Sequence, residues 1–311
     1  MSSMKEKQKR ALQHVETGIS AGSLFIIGLK PDGTVVSTKI QDDPDYEWNR
    51  IAVSDWKNIV AVSAGGYHTV GLKSDGTVVA VSDGEFGETD VENWTDIVAV
   101  AAGYYHTVGL KSDGTVVSTK ITDKDLDCGQ TAVGKWKDIV MIAAGEYHTV
   151  GLKSDGTVVA TSIKKGKDHL QSDVEDWEDI VAISAAERST VGLKSDGTVV
   201  ATGDAGYGHI YEVEDWEDII AISAGLRHTV GLKSDGTVEA VGRDMFDNYR
   251  PEVEDWEDIV AISAGYDYTV GLKSDGSMIV APFDHDEYFE EDLINYEEWK
   301  NIVNHGYTFI K

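Results

Sequence analysis

The chain has 311 residues and a formal net charge of -28 with a pI near 4.5; a field of that sign repels nucleic acid and anionic membranes and favours a basic partner or a solvated acidic surface. Its single cysteine, Cys128, excludes an internal disulfide, and no stretch approaches the roughly 18 consecutive apolar residues of a membrane-spanning helix. The N-terminal stretch MSSMKEKQKRALQHVET lacks the apolar core of a secretory signal, so a cytoplasmic protein is expected.

Residues 1–12 read as an N-terminal extension and 13–311 as one domain, because no linker-like composition interrupts the pattern that follows. From Gly18 onward the phrase HTVGLKSDGTVVA or a close variant occurs seven times, its Asp-Gly step beginning at Asp32, Asp75, Asp113, Asp155, Asp196, Asp235 and Asp275, at spacings of 38 to 43 residues. A repeat of this length is a supersecondary unit that buries its apolar surface only against its neighbours.

Within a copy the strands are predicted in order. IVAISA is a β-branched first strand in which small residues alternate with larger ones, suiting a crowded axis. TVGLK and TVVA are the second and third, joined by Ser-Asp-Gly, whose Asp-Gly step is the strongest short-range hairpin signal in the chain. The Val-x-x-Trp element before each copy, Val53 to Trp56, Val91 to Trp94, Val133 to Trp136, Val174 to Trp177, Val213 to Trp216 and Val253 to Trp256, is expected to add a fourth, outer strand whose acidic residues blunt the edge.

Seven such units without helical periodicity predict an all-β, seven-bladed β-propeller with four-stranded antiparallel blades. The first copy has Gln13 where the others have Trp, while Trp299 to Val303 follow the last copy as an orphan Trp element. The C-terminal segment is therefore expected to complete the N-terminal repeat and close the ring.

The phrase AGYYHTVGLKSDGTVVSTK with its upstream W-x-x-IV resembles the repeats of the regulator of chromosome condensation superfamily, which implies a seven-bladed propeller. In repeat length the copies are most similar to the bacterial propeller-type β-lactamase inhibitory proteins, which implies binding of an enzyme across one face but does not name the target. An exchange-factor or chromatin role, also implied by the founding family, fits poorly with the acidity and the lack of a basic tail.

Strand parity assigns the Asp-Gly hairpins to one face and, to the other, both the Ala-Gly-x-x-His loops and the variable stretches after TVVA. Tyr, Trp and Arg concentrate on that variable face, to which Arg50, Tyr268 and the phenylalanine Phe25 are also assigned, and Tyr, Trp and Arg dominate interface hot spots. Loop decoration is the plainer reading, since the framework positions admit only small and β-branched residues. The partner-binding candidates are Tyr67, Tyr104, Tyr105, Tyr147, Arg188, Arg227, Tyr266, Trp48, Phe246 and Tyr249; a monomer that engages a protein partner, and in one sub-case inhibits an enzyme, is expected. The alternative is capture of an anionic metabolite or nucleotide at the central mouth, with Arg188 and Arg227 as phosphate partners.

No cofactor, metal or catalytic group is expected. His68, His106, His148 and His228 recur at one motif position, Phe25, Ser189 and Tyr268 replacing them elsewhere, and are read as hydrogen-bonding the neighbouring blade's backbone rather than a metal. Asp123 to Asp127 lack the central Gly and terminal Glu of a calcium loop, and Asp284 to Glu287 read as a solvated acidic loop. Cys128 has no activating neighbour in sequence, and no Walker loop, G-x-S-x-G or H-E-x-x-H is present.

Overall fold

The computed structural model describes residues 18–40, 49–84, 86–164, 166–204, 212–242 and 252–282, with positions 294, 296, 299, 300 and 302. They form seven three-stranded antiparallel sheets, each ordered as in the sequence. The first two are β1 (Ile19–Ala21), β2 (Phe25–Leu29), β3 (Val35–Lys39) and β4 (Ile59–Ala64), β5 (His68–Lys73), β6 (Val78–Ser82). The third and fourth are β7 (Ile97–Ala102), β8 (Thr107–Lys111), β9 (Val116–Ser118) and β10 (Ile139–Ala144), β11 (Thr149–Lys153), β12 (Val158–Ala160). The last three are β13 (Ile180–Ala185), β14 (Ser189–Lys194), β15 (Val199–Gly203); β16 (Ile219–Ala224), β17 (His228–Lys233), β18 (Val238–Gly242); and β19 (Ile259–Ala264), β20 (Tyr268–Lys273), β21 (Met278–Pro282).

Each middle strand is buried along its length apart from its terminal Lys, because a strand lies on either side of it and another sheet against it. The hairpin that follows is a three-residue loop: Lys73 N–H donates to Thr77 O at 2.9 Å and Gly76 N–H to Lys73 O at 3.0 Å. Only the glycine of the Asp-Gly step has a positive φ, +80° at Gly76, so the turn closes with a glycine bulge. Asp75 stays in ordinary backbone space and serves the turn through its side chain, accepting from Thr77 N at 3.0 Å and from Thr77 Oγ1 at 2.6 Å. The Thr77 hydroxyl holds the Asp75 carboxyl below the usual carboxylate range, and all seven hairpins repeat this effect.

The expected fourth strand is absent from the described sheets. Each Val-x-x-Trp is a turn, closed by Trp N–H to Val O bonds of 3.0 Å at Trp56 and 3.1 Å at Trp216. The physical reason lies in the spacing: residues three apart share one side of a turn, whereas in a strand they would point to opposite faces. Two residues after each Trp the backbone enters the left-handed region at Asn58, Asp96, Asp138, Asp179, Asp218 and Asp258, φ 59° to 61°. Asn and Asp are the non-glycine residues that visit this region most readily. The next residue then donates to the hairpin glycine of the preceding sheet, as Ile59 N does to Gly33 O at 3.0 Å.

Trp and Gly lock neighbouring sheets together. The Trp56 ring occupies the space where a Cβ on Gly71 would lie, 2.7 Å from its nearest ring carbon, and Trp94, Trp136, Trp177, Trp216 and Trp256 do the same over Gly109, Gly151, Gly192, Gly231 and Gly271. Trp299 lies likewise over Gly28 of the first sheet, at 2.5 Å. On the inner strands, serine hydroxyls accept from the next sheet: Ala64 N to Ser20 Oγ, Ala102 N to Ser63 Oγ and Ala264 N to Ser223 Oγ, each at 2.9 Å. The same bond joins the seventh sheet to the first, Ala21 N to Ser263 Oγ at 2.9 Å. Tyr268 reinforces that junction, its hydroxyl lying 3.0 Å from Gly22 O and 2.5 Å from Phe25 O.

The residue after each inner strand, glycine in six sheets and Ala186 in the fifth, lies where the chain passes the next sheet's loop, and each of the six glycines faces a loop carbonyl there. A methyl on Gly145 would meet Ala186 O at 2.1 Å, and one on Gly65 would meet Gly103 O at 2.3 Å. Gly145→Ala is expected to destabilise the fold by about 1–3 kcal/mol, the usual cost of overpacking. Gly134→Ala, where a methyl meets nothing within 4 Å, is expected to change little, and urea unfolding of both variants checks the difference.

Candidate functional site

Beyond these glycines each loop has two free positions, and the structure gives them different places. The first position of each loop, Ser23, Gly66, Tyr104, Glu146, Glu187, Leu226 and Tyr266, lines a cavity of about 130 Å³ whose remaining wall is the Ala and Gly of the strand ends. The second position, occupied by Leu24, Tyr67, Tyr105, Tyr147, Arg188, Arg227 and Asp267, lies outside that ring.

On one side the two rings merge into an aromatic cluster. Tyr67 and Tyr104 meet edge to face with centroids 5.2 Å apart, Tyr104 and Tyr105 lie 4.9 Å apart, and Tyr67 stacks on Tyr105 at 5.7 Å. Phe86, from the stretch after β6, closes the cluster at 5.2 Å from Tyr105 and 5.9 Å from Tyr67. Gly66 makes this possible: a Cβ there would lie 2.7 Å from Cγ of Tyr104, so the ring lies flat over bare backbone. Such pairings contribute about 0.5–1.5 kcal/mol each beyond area burial, which holds the rings in place before any partner arrives.

Next to the cluster stand two carboxyl groups. Glu146 is only 8% exposed; desolvation and the neighbouring Glu187 push its carboxyl up to about 7, while the Tyr147 hydroxyl, which hydrogen-bonds it, pulls the other way. Burial and the surrounding carboxylates hold the hydroxyls of Tyr104, Tyr105, Tyr147 and Tyr266 above the ordinary tyrosine range, so all four stay neutral and available as donors. Lys167 places its ammonium 4.8 Å from the centroid of the Tyr147 ring, a cation–π contact.

The candidates read from the sequence thus divide. Tyr67, Tyr104, Tyr105, Tyr147 and Tyr266 gather at the mouth, with Tyr147 largely covered at 8% exposure. Arg188 and Arg227 stand on the same face but are engaged within the chain: Arg188 pairs with Glu187 at 3.0 Å and Asp204 at 3.4 Å, and Arg227 with Asp267 at 4.0 Å. Trp48, Phe246 and Tyr249 lie outside the described residues, as do Asp284 to Glu287. Two aromatic residues that parity assigned to the variable face are buried between sheets instead, Phe25 between the first and second and Tyr268 between the seventh and first.

Arg50, also assigned to the variable face, is 1% exposed. Its Nε pairs with Asp83 at 2.5 Å, its Nη1 donates to Gly66 O at 2.9 Å, and its guanidinium lies 5.6 Å from the Phe25 centroid. It belongs to a structural series with Glu88, Gln130 and Gln171, each three residues before the Val of a Val-x-x-Trp turn. Their backbone carbonyls accept the hydroxyls of Thr69, Thr107, Thr149 and Thr190. The Gln130 and Gln171 side chains fold back to brace their own variable stretches, accepting from Cys128 N at 2.7 Å and His169 N at 2.6 Å.

The same threonines explain the recurrent histidines. Nε2 of His68, His106, His148 and His228 lies 2.8–2.9 Å from Oγ1 of Thr107, Thr149, Thr190 and Thr269 in the following sheet, so the partner is a side chain and not the backbone. Because the single hydroxyl proton of Thr107, Thr149 and Thr190 goes to a carbonyl, the histidine must be the donor, which fixes the Nε2–H tautomer. Desolvation pushes His68 and His148 down to about 3 and His106 to about 4. Among the described residues no group of three or more His, Cys, Asp or Glu is placed to hold a metal ion, and no helix is long and apolar enough to cross a membrane. Cys128 is buried, and the carboxylate of Asp123 accepts from Asp125 N at 2.8 Å within its own turn.

The model of the regulator of chromosome condensation (RCC1) repeat matches residues 59–88 and 97–119, the second and third sheets with the turns that lead out of them. Those two stretches are RCC1 repeats. Among solved structures it is similar to the CRINKLY WD40 ectodomain of the Arabidopsis thaliana receptor kinase ACR4, with a TM-score of 0.65 and 16% identity over 88% of this chain and 98% of that one. It is also similar to Prp20p from Saccharomyces cerevisiae, TM-score 0.63 and 16% identity over 90% of this chain and 84% of that one. The ectodomain of the Physcomitrella patens receptor kinase CR4 gives a TM-score of 0.63 and 15% identity over 85% and 72% of the two chains. At these identities the likeness concerns the RCC1-type propeller fold, and no curated protein matches in sequence.

Proposed function

We propose that this RCC1-repeat propeller is a non-catalytic binding protein whose partner, another protein, docks on the mouth face, and that the C-terminal segment around Trp299 closes the ring carrying that face. The observation that carries the reading is the pre-packed cluster of Tyr67, Phe86, Tyr104 and Tyr105 beside the cavity. Rigid aromatic groups of this kind bind with little loss of side-chain freedom. Prp20p, similar in fold, was studied for its binding to Gsp1p and histones, which supports a protein as the class of partner.

Anion capture is disfavoured by the same geometry. Arg188 and Arg227 already face carboxylates, and Glu146 and Glu187 give the mouth the wrong sign for a phosphate. The test is capture of partners from the source cell by the immobilised full chain. Tyr67→Ala combined with Tyr105→Ala is expected to lower capture at least tenfold, while Lys111→Ala on the hairpin face leaves it unchanged. Capture that survives the tyrosine changes and is lost with the lysine change places the interface on the other side. Where the captured protein is an enzyme, its turnover in the presence of the chain tests the inhibitory sub-case directly.

A further inference from the structure

Glu146 and Glu187 occupy consecutive first positions of the loop ring, in the fourth and fifth sheets, and both line the cavity between Tyr104 and Tyr266. Neither loop needs an acid for the fold, since Gly66, Tyr104 and Leu226 stand at the equivalent places. Glu146 is nine-tenths buried yet borders open space, with the Tyr147 hydroxyl and the Glu187 carboxyl as its polar neighbours. Two carboxyl groups so placed repel each other when charged, and a cation between them relieves that repulsion. A second observation points to the same chemistry: the chain sets its own lysine ammonium, that of Lys167, against the Tyr147 ring at the edge of the mouth.

The cavity of about 130 Å³ is open to solvent on the mouth face, so the end of a flexible side chain can enter it without any change of the backbone. We propose that the central mouth receives a lysine side chain of the protein partner, its ammonium held by Glu146 and Glu187 and its methylenes walled by Tyr104 and Tyr266. This rests on the mouth face being the partner-binding surface, and it makes that partner one with a protruding lysine. The lysine is favoured over arginine because its ammonium is a compact point charge that can lie between two carboxyls from different loops. The net charge of -28 supplies long-range attraction for such a basic partner.

The pH dependence follows from the groups that face Glu146: Tyr147 and Lys167 from the outer ring, Glu187 from the next loop, and Tyr104, Tyr105 and Tyr266 across the mouth, with Arg227 and Asp267 beside Tyr266. The tyrosines stay neutral over the physiological range, so the proton that an ammonium must displace is the one on Glu146. Binding should therefore strengthen as that proton leaves.

The experiment titrates the full-length chain with Nα-acetyl-lysine methylamide, followed by NMR at fixed ionic strength, at pH 6 and pH 8. The expected result is roughly tenfold tighter binding at pH 8, as one linked proton with a midpoint near 7 requires. Glu146→Gln and, separately, Glu187→Gln should weaken binding and flatten its pH dependence, while Glu175→Gln, an exposed acid, should leave both unchanged. The Nε-acetylated probe, which has no charge, should not bind. Absence of binding by the charged probe overturns the inference, and so does equal, pH-independent binding in Glu146→Gln and Glu175→Gln. Partner capture separates the two readings: unchanged capture by Glu146→Gln with loss in the tyrosine variants removes the lysine and keeps the docking face, whereas unchanged capture by the tyrosine variants removes the face itself.

Discussion

Trp299→Ala is expected to lower the unfolding free energy by about 3–5 kcal/mol, the range for removing a buried tryptophan from a packed site. Against a total domain stability of about 5–15 kcal/mol, this is the largest effect of any single substitution considered for this chain. Trp299 is 1% exposed and packs with Ile19 and Ile26 of the first sheet, Val270 and Leu272 of the seventh, and Ile302. Its ring also fills the space over Gly28 that an ordinary side chain would occupy, so its loss opens a cavity that the bare backbone there cannot refill. If the C-terminal segment closes the ring, the damage should be local before it is global. Hydrogen exchange is then expected to quicken first in residues 19–29 and 268–273, with urea unfolding giving the total. Trp94→Ala, whose ring is partly exposed, should cost less. A loss at Trp299 no larger than that of Leu170→Ala, a 58% exposed position, would show that the first and seventh sheets hold together without it.

The repeat period, the Asp-Gly hairpins and the small residues of the inner strand carried the architecture because each reports a local backbone requirement. The Val-x-x-Trp element misled because its apolar pair was read for composition and not for spacing; three residues apart is a turn's geometry. At the mouth, parity put Tyr67, Tyr104, Tyr105, Tyr147 and Tyr266 on the loop side where the structure has them, but could not rank them, since a loop has no side-chain period until the strand ends orient it. Once oriented, the two free positions of Ala-Gly-x-x-His separate into an inner and an outer ring. Glu146 and Glu187, in the inner one, become visible among the chain's 55 acidic residues. Arg50 was misplaced for a different reason. Its equivalents are Glu88, Gln130 and Gln171, and what they share is a backbone carbonyl that receives a threonine hydroxyl, which leaves no common side chain to recognise.

Acid should unfold this protein well before its carboxylates are exhausted. His68, His106 and His148 are fully buried, and desolvation lowers their folded values to about 3, 4 and 3 from an ordinary 6.5. A depressed folded value means that the unfolded chain takes up protons that the native state refuses. The stability these groups contribute is therefore whole above about pH 6.5 and is lost as the pH falls toward 4 and then 3. Glu146 acts in the opposite sense: its carboxyl is raised to about 7 from 4.5, so between those values the native state takes up one proton that the unfolded chain does not. Near pH 5.5 the unfolded chain thus gains about three protons against one. The expected slope is about 2.7 kcal/mol of stability lost per pH unit, two net protons at 1.36 kcal/mol each. The hairpin aspartates, lowered from 3.8 by their threonine or serine bonds, act only below about pH 4 and do not enter this window. Urea unfolding at half-unit steps from pH 7 to 4.5 measures the slope. His106→Gln keeps a side-chain N–H for Thr149 and removes the titration, so it should reduce the slope by about one proton's worth. A slope that does not change with this substitution would mean that His106 already carries its proton inside the fold, and the buried-neutral assignment would then be wrong.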